Sequence, residues 1–240
     1  MRGNNEKVNL SNSDDIYKEM CYLTKLNVVV EGKLKLINRD NSKCDCIDRR
    51  LLAQISKNVV NKASTFRNKE KFPALIFRLK KFKSTVIIFE SGCIRSLGSK
   101  SEKEGITSIK IILHKLNENI DKELHKKGID HSFLLLDECY VSNIVSCFTF
   151  RSHIYLRKLE ETVNNLNCKY ITSNYDNESF SAAVYIKINN PDIKGKNKGK
   201  GPNIGVFNNG KVSIYGGKSE THIKNILSII YPLLIKCEKK

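Results

Sequence analysis

The sequence predicts an α+β fold made of two similar units, each an antiparallel meander followed by a long helix, paired about a pseudo-twofold axis. Three observations carry that reading. One pattern is written twice, 118 residues apart (89 to 207). β-branched and aromatic runs precede each copy, and an apolar stripe at helical spacing follows each.

The first copy is Phe89-Glu-Ser-Gly92-Cys-Ile-Arg95-Ser-Leu97-Gly98-Ser-Lys100-Ser101-Glu102, and the second is Phe207-Asn-Asn-Gly210-Lys211-Val-Ser-Ile-Tyr215-Gly216-Gly-Lys218-Ser219-Glu220. Upstream, Phe72-Pro-Ala-Leu-Ile-Phe-Arg78 answers Phe180-Ser-Ala-Ala-Val-Tyr-Ile186, at an offset of 108 (72 to 180). Further upstream, Asn27-Val28-Val29 answers Asn143-Ile144-Val145 at an offset of 116 (27 to 143). The unequal offsets mean insertions that differ between the halves.

Taken in order, residues 1–20 are polar and read as a flexible tail, repeat 1 spans 21–128, and repeat 2 spans 129–240. Asp48 to Val60 has helical periodicity, matched by Leu156 to Leu166 in the second half. Residues 72–79 and 85–90 read as strands, and Ser91-Gly92 or Asn208-Asn209-Gly210 turns the chain into the next short strand. Ser101 is a natural N-cap for a helix with apolar Ile106, Ile109, Leu113, Leu116 and Ile120. Ser219 does the same for Ile223, Ile226, Leu227, Ile230 and Leu234. Asp121 to Asp130 reads as the connector, and residues 191–202, rich in Gly and Lys, as a mobile basic loop. The helices are expected on one side of a curved antiparallel sheet, leaving its other face open.

Composition narrows the function. Forty-two Lys+Arg against 25 Asp+Glu leave a net charge of +17, while a 40% hydrophobic fraction is ordinary for a folded chain. Such a charge implies attraction to polyanions. No apolar run reaches the length of a membrane span, and the first residues lack the apolar core of a signal peptide, so an intracellular protein is expected. Eight cysteines supply one close pair, Cys44-Asp45-Cys46, with no second pair to complete a zinc site, so neither metal nor cofactor is expected. Gly205 to Val212 nearly spells a phosphate-binding loop. Val212 lacks the magnesium-binding hydroxyl, however, and a strand follows where that loop needs a helix, so an enzyme is not expected.

The ordered, doubled motifs resemble the TATA-box-binding protein family. They are Phe72-Pro73-Ala74-Leu75-Ile76-Phe77-Arg78, Ile87-Ile88-Phe89-Glu90-Ser91-Gly92, Leu97-Gly98-Ser99-Lys100 and Ile230-Tyr231-Pro232-Leu233-Leu234, and the resemblance covers roughly residues 22–236. It implies a saddle whose concave sheet enters the DNA minor groove, with helices on the convex face. A pair of phenylalanines from each repeat would wedge between base steps: Phe72 and Phe89, then Phe180 and Phe207. A lone strand phenylalanine is ordinarily core; four at matched positions of a duplicated pattern point to the wedge. The resemblance further implies base-edge contacts by Asn27, Val29, Asn143 and Val145, and by Arg95, Leu97 and Tyr215 where the family pattern has other residues. Phosphate contacts would come from Lys71, Arg78, Lys100, Lys211 and Lys218.

Leu97, Arg95 and Tyr215 shift the expected target from one strict TATA sequence toward deformable A·T-rich DNA read by shape. Tyr175-Asp176-Asn177-Glu178-Ser179-Phe180 resembles the family's acidic stirrup, which implies docking of a factor IIB-like partner at Asp176 and Glu178. A factor IIA-like protein and TBP-associated factors are further implied partners without traceable residues. The expectation is a monomer on double-stranded DNA, in the nucleus or a viral transcription compartment, with no membrane partner. The alternative is a divergent paralogue that docks basal factors without strict TATA recognition.

Overall fold

Alternating apolar residues interrupted by turn glycines build hairpins, and the central strands of each half of this chain obey that rule. A computed structural model of the protein describes residues 23–37, 43–44, 64–66, 74–125, 133–176, 178, 182–189 and 201–239. The strands are β1 (Thr24–Ile37), β2 (Lys43–Cys44), β3 (Ser64–Phe66), β4 (Ala74–Leu79), β5 (Ser84–Phe89), β6 (Cys93–Ser99), β7 (Phe133–Thr149), β8 (Ile171–Asn174), β9 (Ala183–Ile188), β10 (Asn203–Phe207) and β11 (Lys211–Gly217). The helices are α1 (Glu102–His125), α2 (Leu156–Asn164) and α3 (Glu220–Lys236). Two compact units result, one Lys25–Val145 and the other built around Ser146–Lys240.

In the first unit the strands lie in the order β3, β4, β5, β6, β1, β7, and the pairings of β3 through β6 and of β6 with β1 are antiparallel. Period-two alternation sends Leu75, Phe77, Val86, Ile88, Ile94 and Val30 to one face, all buried. Helix α1 covers β5 and β6 on that face with Ile109, Ile112, Leu116 and Ile120. Each such side chain, fully buried, stabilises the unit by roughly 1.5–3 kcal/mol. Polar groups caught in this layer pair with each other, as Ser84 Oγ does with Ser108 Oγ at 2.8 Å. Gly105 lets α1 approach β1 closely, because a Cβ there would overlap the buried Val30 side chain.

The second unit repeats the plan, with β8, β9, β10 and β11 antiparallel in that order. Val184, Ile186, Ile204, Val206, Val212 and Ile214 form the buried face. Helix α3 packs on β11 and α2 on β8 and β9. Tyr231 of α3 is fully buried and meets Phe150 edge-on at 5.6 Å.

Matched backbone bonds give the repeat a physical register. Gly92 N–H donates to Phe89 O and Gly210 N–H to Phe207 O, both at 3.0 Å. Gly92 O accepts from Leu34 N–H and Gly210 O from Phe150 N–H, both at 2.7 Å. Both glycines have positive φ, +77° and +81°. Leu34 and Phe150 are separated by the same 116 residues as Asn27 and Asn143, which anchors that upstream alignment.

The helix starts are paired as well. Ser101 Oγ accepts from Glu104 N–H at 3.2 Å while Glu104 Oε2 accepts from Lys100 N–H at 2.9 Å, a reciprocal box. In the second unit Ser219 Oγ accepts from His222 N–H at 3.0 Å, and His222 Nδ1 accepts from Lys218 N–H at 3.2 Å. Desolvation and the nearby Lys218 charge hold the His222 pKa below its ordinary 6.5. A histidine with a lowered folded pKa contributes stability that is present above pH about 6.5 and lost as pH falls through the folded value. Chemical denaturation at pH 7.5 and pH 5 is therefore expected to show a loss at the acid end that His222→Glu reduces. Hydrogen exchange should place the change in the first turn of α3 and leave α1 unaltered.

The connector is shorter than the sequence suggests: α1 continues to His125, through residues 121–125. No Gly or Pro interrupts that stretch until Gly128, so the helix has no local reason to stop at Asp121. The second short helix begins at Leu156 as expected and ends at Asn164, and the main-chain strands at 74–79 and 84–89 match the expected runs. The expected helix over Asp48 to Val60, the tail at 1–20, and nearly all of the basic loop at 191–202 lie outside the described residues.

Candidate nucleic-acid interface

Whatever faces away from the helices follows from the same alternation. In the first unit that set is Ala74, Ile76 and Arg78 on β4, Thr85, Ile87 and Phe89 on β5, and Cys93, Arg95 and Leu97 on β6. Cross-strand pairs Ala74–Phe89, Ile76–Ile87, Arg78–Thr85, Thr85–Leu97 and Ile87–Arg95 confirm the common face. In the second unit the equivalent set is Ala183, Tyr185 and Lys187 on β9, Asn203, Gly205 and Phe207 on β10, and Lys211, Ser213 and Tyr215 on β11. Among the described residues, each unit thus presents a helix-free face of aliphatic, aromatic and basic groups.

Phe89 and Phe207 end β5 and β10 on those faces, both half-buried, and the left-handed glycine turn that follows holds each in place. Neither is sealed under a helix of the described residues. Phe72, Phe180 and Lys71 lie outside the described residues. Arg95 of β6 stands beside the Phe89 ring and Leu97 lies farther along β6 opposite Thr85, whereas Tyr215, exposed, pairs across to Asn203. Asn27 Oδ1 accepts from Gly98 N–H at 2.7 Å, which fixes the amide's orientation next to Leu97. Asn143 Oδ1 is buried without a hydrogen-bond partner among the described residues. Val29 is nearly covered and Val145 half-buried.

Arg78, Lys100, Lys211 and Lys218 are all exposed. Arg78 also lines a shallow hollow with Lys80 and Lys83 at the β4–β5 turn. Asp176 and Glu178 are exposed too. Asp176 Oδ1 accepts from Glu178 N–H at 3.0 Å, so the two acids share one tight turn. The neighbouring Tyr175 N–H donates to Glu160 Oε1 on α2 at 3.0 Å, tying that turn to the helix.

Three features escape a reading of the sequence alone. Glu31 of β1 lies opposite Arg95 and binds it twice, Nε to Oε2 at 2.8 Å and Nη2 to Oε1 at 3.3 Å. Cys93 Sγ donates to Glu31 Oε1 at 3.5 Å. The hydrogen bond to Glu31 raises the Arg95 pKa, and burial followed by the Glu31 charge raises that of the Cys93 thiol. Tyr140 of β7 joins the group, its phenol pushed up by desolvation and then by Glu31. The Arg95 guanidinium carbon stands 5.4 Å from the Phe89 ring centroid, a cation–π contact. Tyr185 is the third feature: its ring lies beside Gly205 next to the Phe207 ring. The parity of Asn27, Val29 and Glu31 along one strand is the signal that places Glu31 on the open face. Tyr185 has the matching parity with Ala183.

These features define a class first, a duplicated α+β chain whose open sheet faces carry aromatic and basic side chains. The family described as transcription factor TFIID, or TATA-binding protein (TBP), matches residues 42–119 and 138–237. The TATA-box-binding protein of Methanocaldococcus jannaschii is 28% identical over 204 residues, covering 84% of this chain and 93% of the relative. That of Thermoplasma acidophilum is 28% identical over 155 residues, covering 65% of this chain and 71% of the relative. The solved structure of Methanococcus jannaschii TBP shares the fold, with a TM-score of 0.56, 24% identity, and coverage of 89% of this chain and 98% of that one. The chain belongs to the TATA-binding protein family, a non-enzymatic family of DNA-binding transcription factors.

Proposed function

We propose that this protein is a general transcription initiation factor that binds A·T-rich promoter DNA through the minor groove and bends it. The observation that carries the reading is the placement of Phe89 and Phe207 at strand ends on the helix-free faces, each set by the same glycine turn. Unstacking a base step costs a few kcal/mol, and an inserted ring with the wider contact of bent DNA offsets it. Phe72 and Phe180 supply the partner wedges. Asn27, Val29, Asn143, Val145, Arg95, Leu97 and Tyr215 meet the groove floor, where acceptors predominate. Lys71, Arg78, Lys100, Lys211 and Lys218 meet phosphates, giving a salt-dependent component of affinity. The protein acts as a monomer on DNA, in the nucleus or a viral transcription compartment. Selection of random duplexes by the purified chain, followed by fluorescence energy transfer across the selected site, tests the reading; an unbent, unselected duplex overturns it.

Recruitment of a factor IIB-like partner is assigned to the acidic turn. Asp176→Arg with Glu178→Arg is expected to abolish the ternary complex with that partner in a native gel while the binary DNA complex survives. Loss of both complexes would assign the turn to DNA instead. A second reading, a paralogue that docks basal factors without strict TATA recognition, is favoured by one observation. Glu31 puts a carboxylate on the open face, opposite Arg95.

A further inference from the structure

A carboxylate is an unexpected group on a face that meets DNA. Minor-groove edges of A·T pairs carry acceptors alone, and a carboxylate only accepts, so Glu31 has nothing to bind there. The one donor on the groove floor is the 2-amino group of guanine. Glu31 is built into place: its side chain is 19% exposed, held by two N–H groups of Arg95 and by Cys93 Sγ. Arg95 is 43% exposed and is braced in turn against the Phe89 ring, so donor and acceptor stand side by side at a fixed spacing. That arrangement matches a G·C edge, which offers acceptors at guanine N3 and cytosine O2 and one donor between them.

We propose that Glu31 and Arg95 form a guanine-reading subsite on the first unit, in which Glu31 accepts from the guanine 2-amino group and Arg95 donates to an adjacent groove acceptor. The proposal rests on the minor-groove reading above. The second unit lacks the device, because the repeat places Cys147 where Glu31 stands and Ser213 where Arg95 stands. A single G·C pair is therefore favoured in one half of the site only, which also gives the bound protein a direction along the duplex.

Inosine, which is guanine without its 2-amino group, isolates the contact. The full chain is titrated by fluorescence anisotropy against A·T-rich duplexes carrying one G·C pair or one inosine·C pair, moved position by position. At one or two adjacent positions in one half of the site, G·C is expected to bind about fivefold to tenfold more tightly than inosine·C. Glu31→Ala is expected to erase that ratio while binding to the all-A·T duplex persists. Equal affinity for G·C and inosine·C at every position, with specific binding to the A·T-rich duplex intact, overturns the subsite alone. Binding to every duplex at one salt-dependent background level overturns the groove reading and the subsite with it.

Discussion

Replacing Phe89 and Phe207 together by alanine is expected to abolish most of the DNA bend and to lower specific affinity at least about a hundredfold, leaving the salt-dependent background. The size follows from area. A phenylalanine ring that passes from a half-exposed strand end into a base stack buries a further part of its roughly 150–250 Å², and two rings act on two steps. The same substitution discriminates the wedge from a core role. Both rings lie on helix-free faces, so the melting temperature should fall only slightly. A large drop in stability with the bend preserved would assign them to packing. Arg95 distinguishes the first ring, since its guanidinium lies 5.4 Å from the Phe89 centroid and is held from the other side by Glu31. Phe207 has Tyr185 for a neighbour instead, so the single variants are expected to differ, with Phe207→Ala more sensitive to Tyr185→Ala.

The second large effect is structural. Gly210→Ala is expected to destabilise the protein by about 3 kcal/mol, measured by chemical denaturation, for two separable reasons. Its φ of +81° is left-handed, which costs an L-residue with a Cβ roughly 1–2 kcal/mol. A Cβ at this position would also stand 2.7 Å from Phe150 O, in a turn already closed by the Phe150 N–H bond to Gly210 O. The backbone must shift, and Phe207, three residues earlier in the same turn, shifts with it. Reduced bending at one end of the site should therefore accompany the loss of stability. A variant as stable as the parent would show that the turn relaxes without cost.

Much of this molecule was legible in its residues because the relevant forces are local. Glycine is favoured where the chain turns left-handed, and Gly92, Gly98, Gly210 and Gly216, all at positive φ, recur at one offset. Serine caps a helix by reaching its own third residue onward, so Ser101 and Ser219 announce α1 and α3 unaided. Strand alternation needs only neighbours, and it assigns Phe89, Arg95 and Leu97 to one face. The P-loop-like stretch resolves the same way, since Val212 is a buried residue of strand β11.

The open faces were less legible, because their electrostatics depend on which strands lie side by side. Arg95 reads in the sequence as a cation aimed at a negative groove; folding sets it against Glu31, 64 residues away, and turns a lone charge into a donor–acceptor pair. Tyr185 becomes a neighbour of Phe207 only through the β9–β10 register.

What the amino-acid order determined by itself was the doubled plan, its turns, its caps and the parity of each strand, all consequences of interactions spanning a few residues. Only the tertiary structure decided that β1 lies against β6, that Gly105 admits Val30, and that an acid shares the face with Phe89. Backbone pairing between distant segments is chosen by the burial of whole faces at once, and no short window of sequence contains that sum.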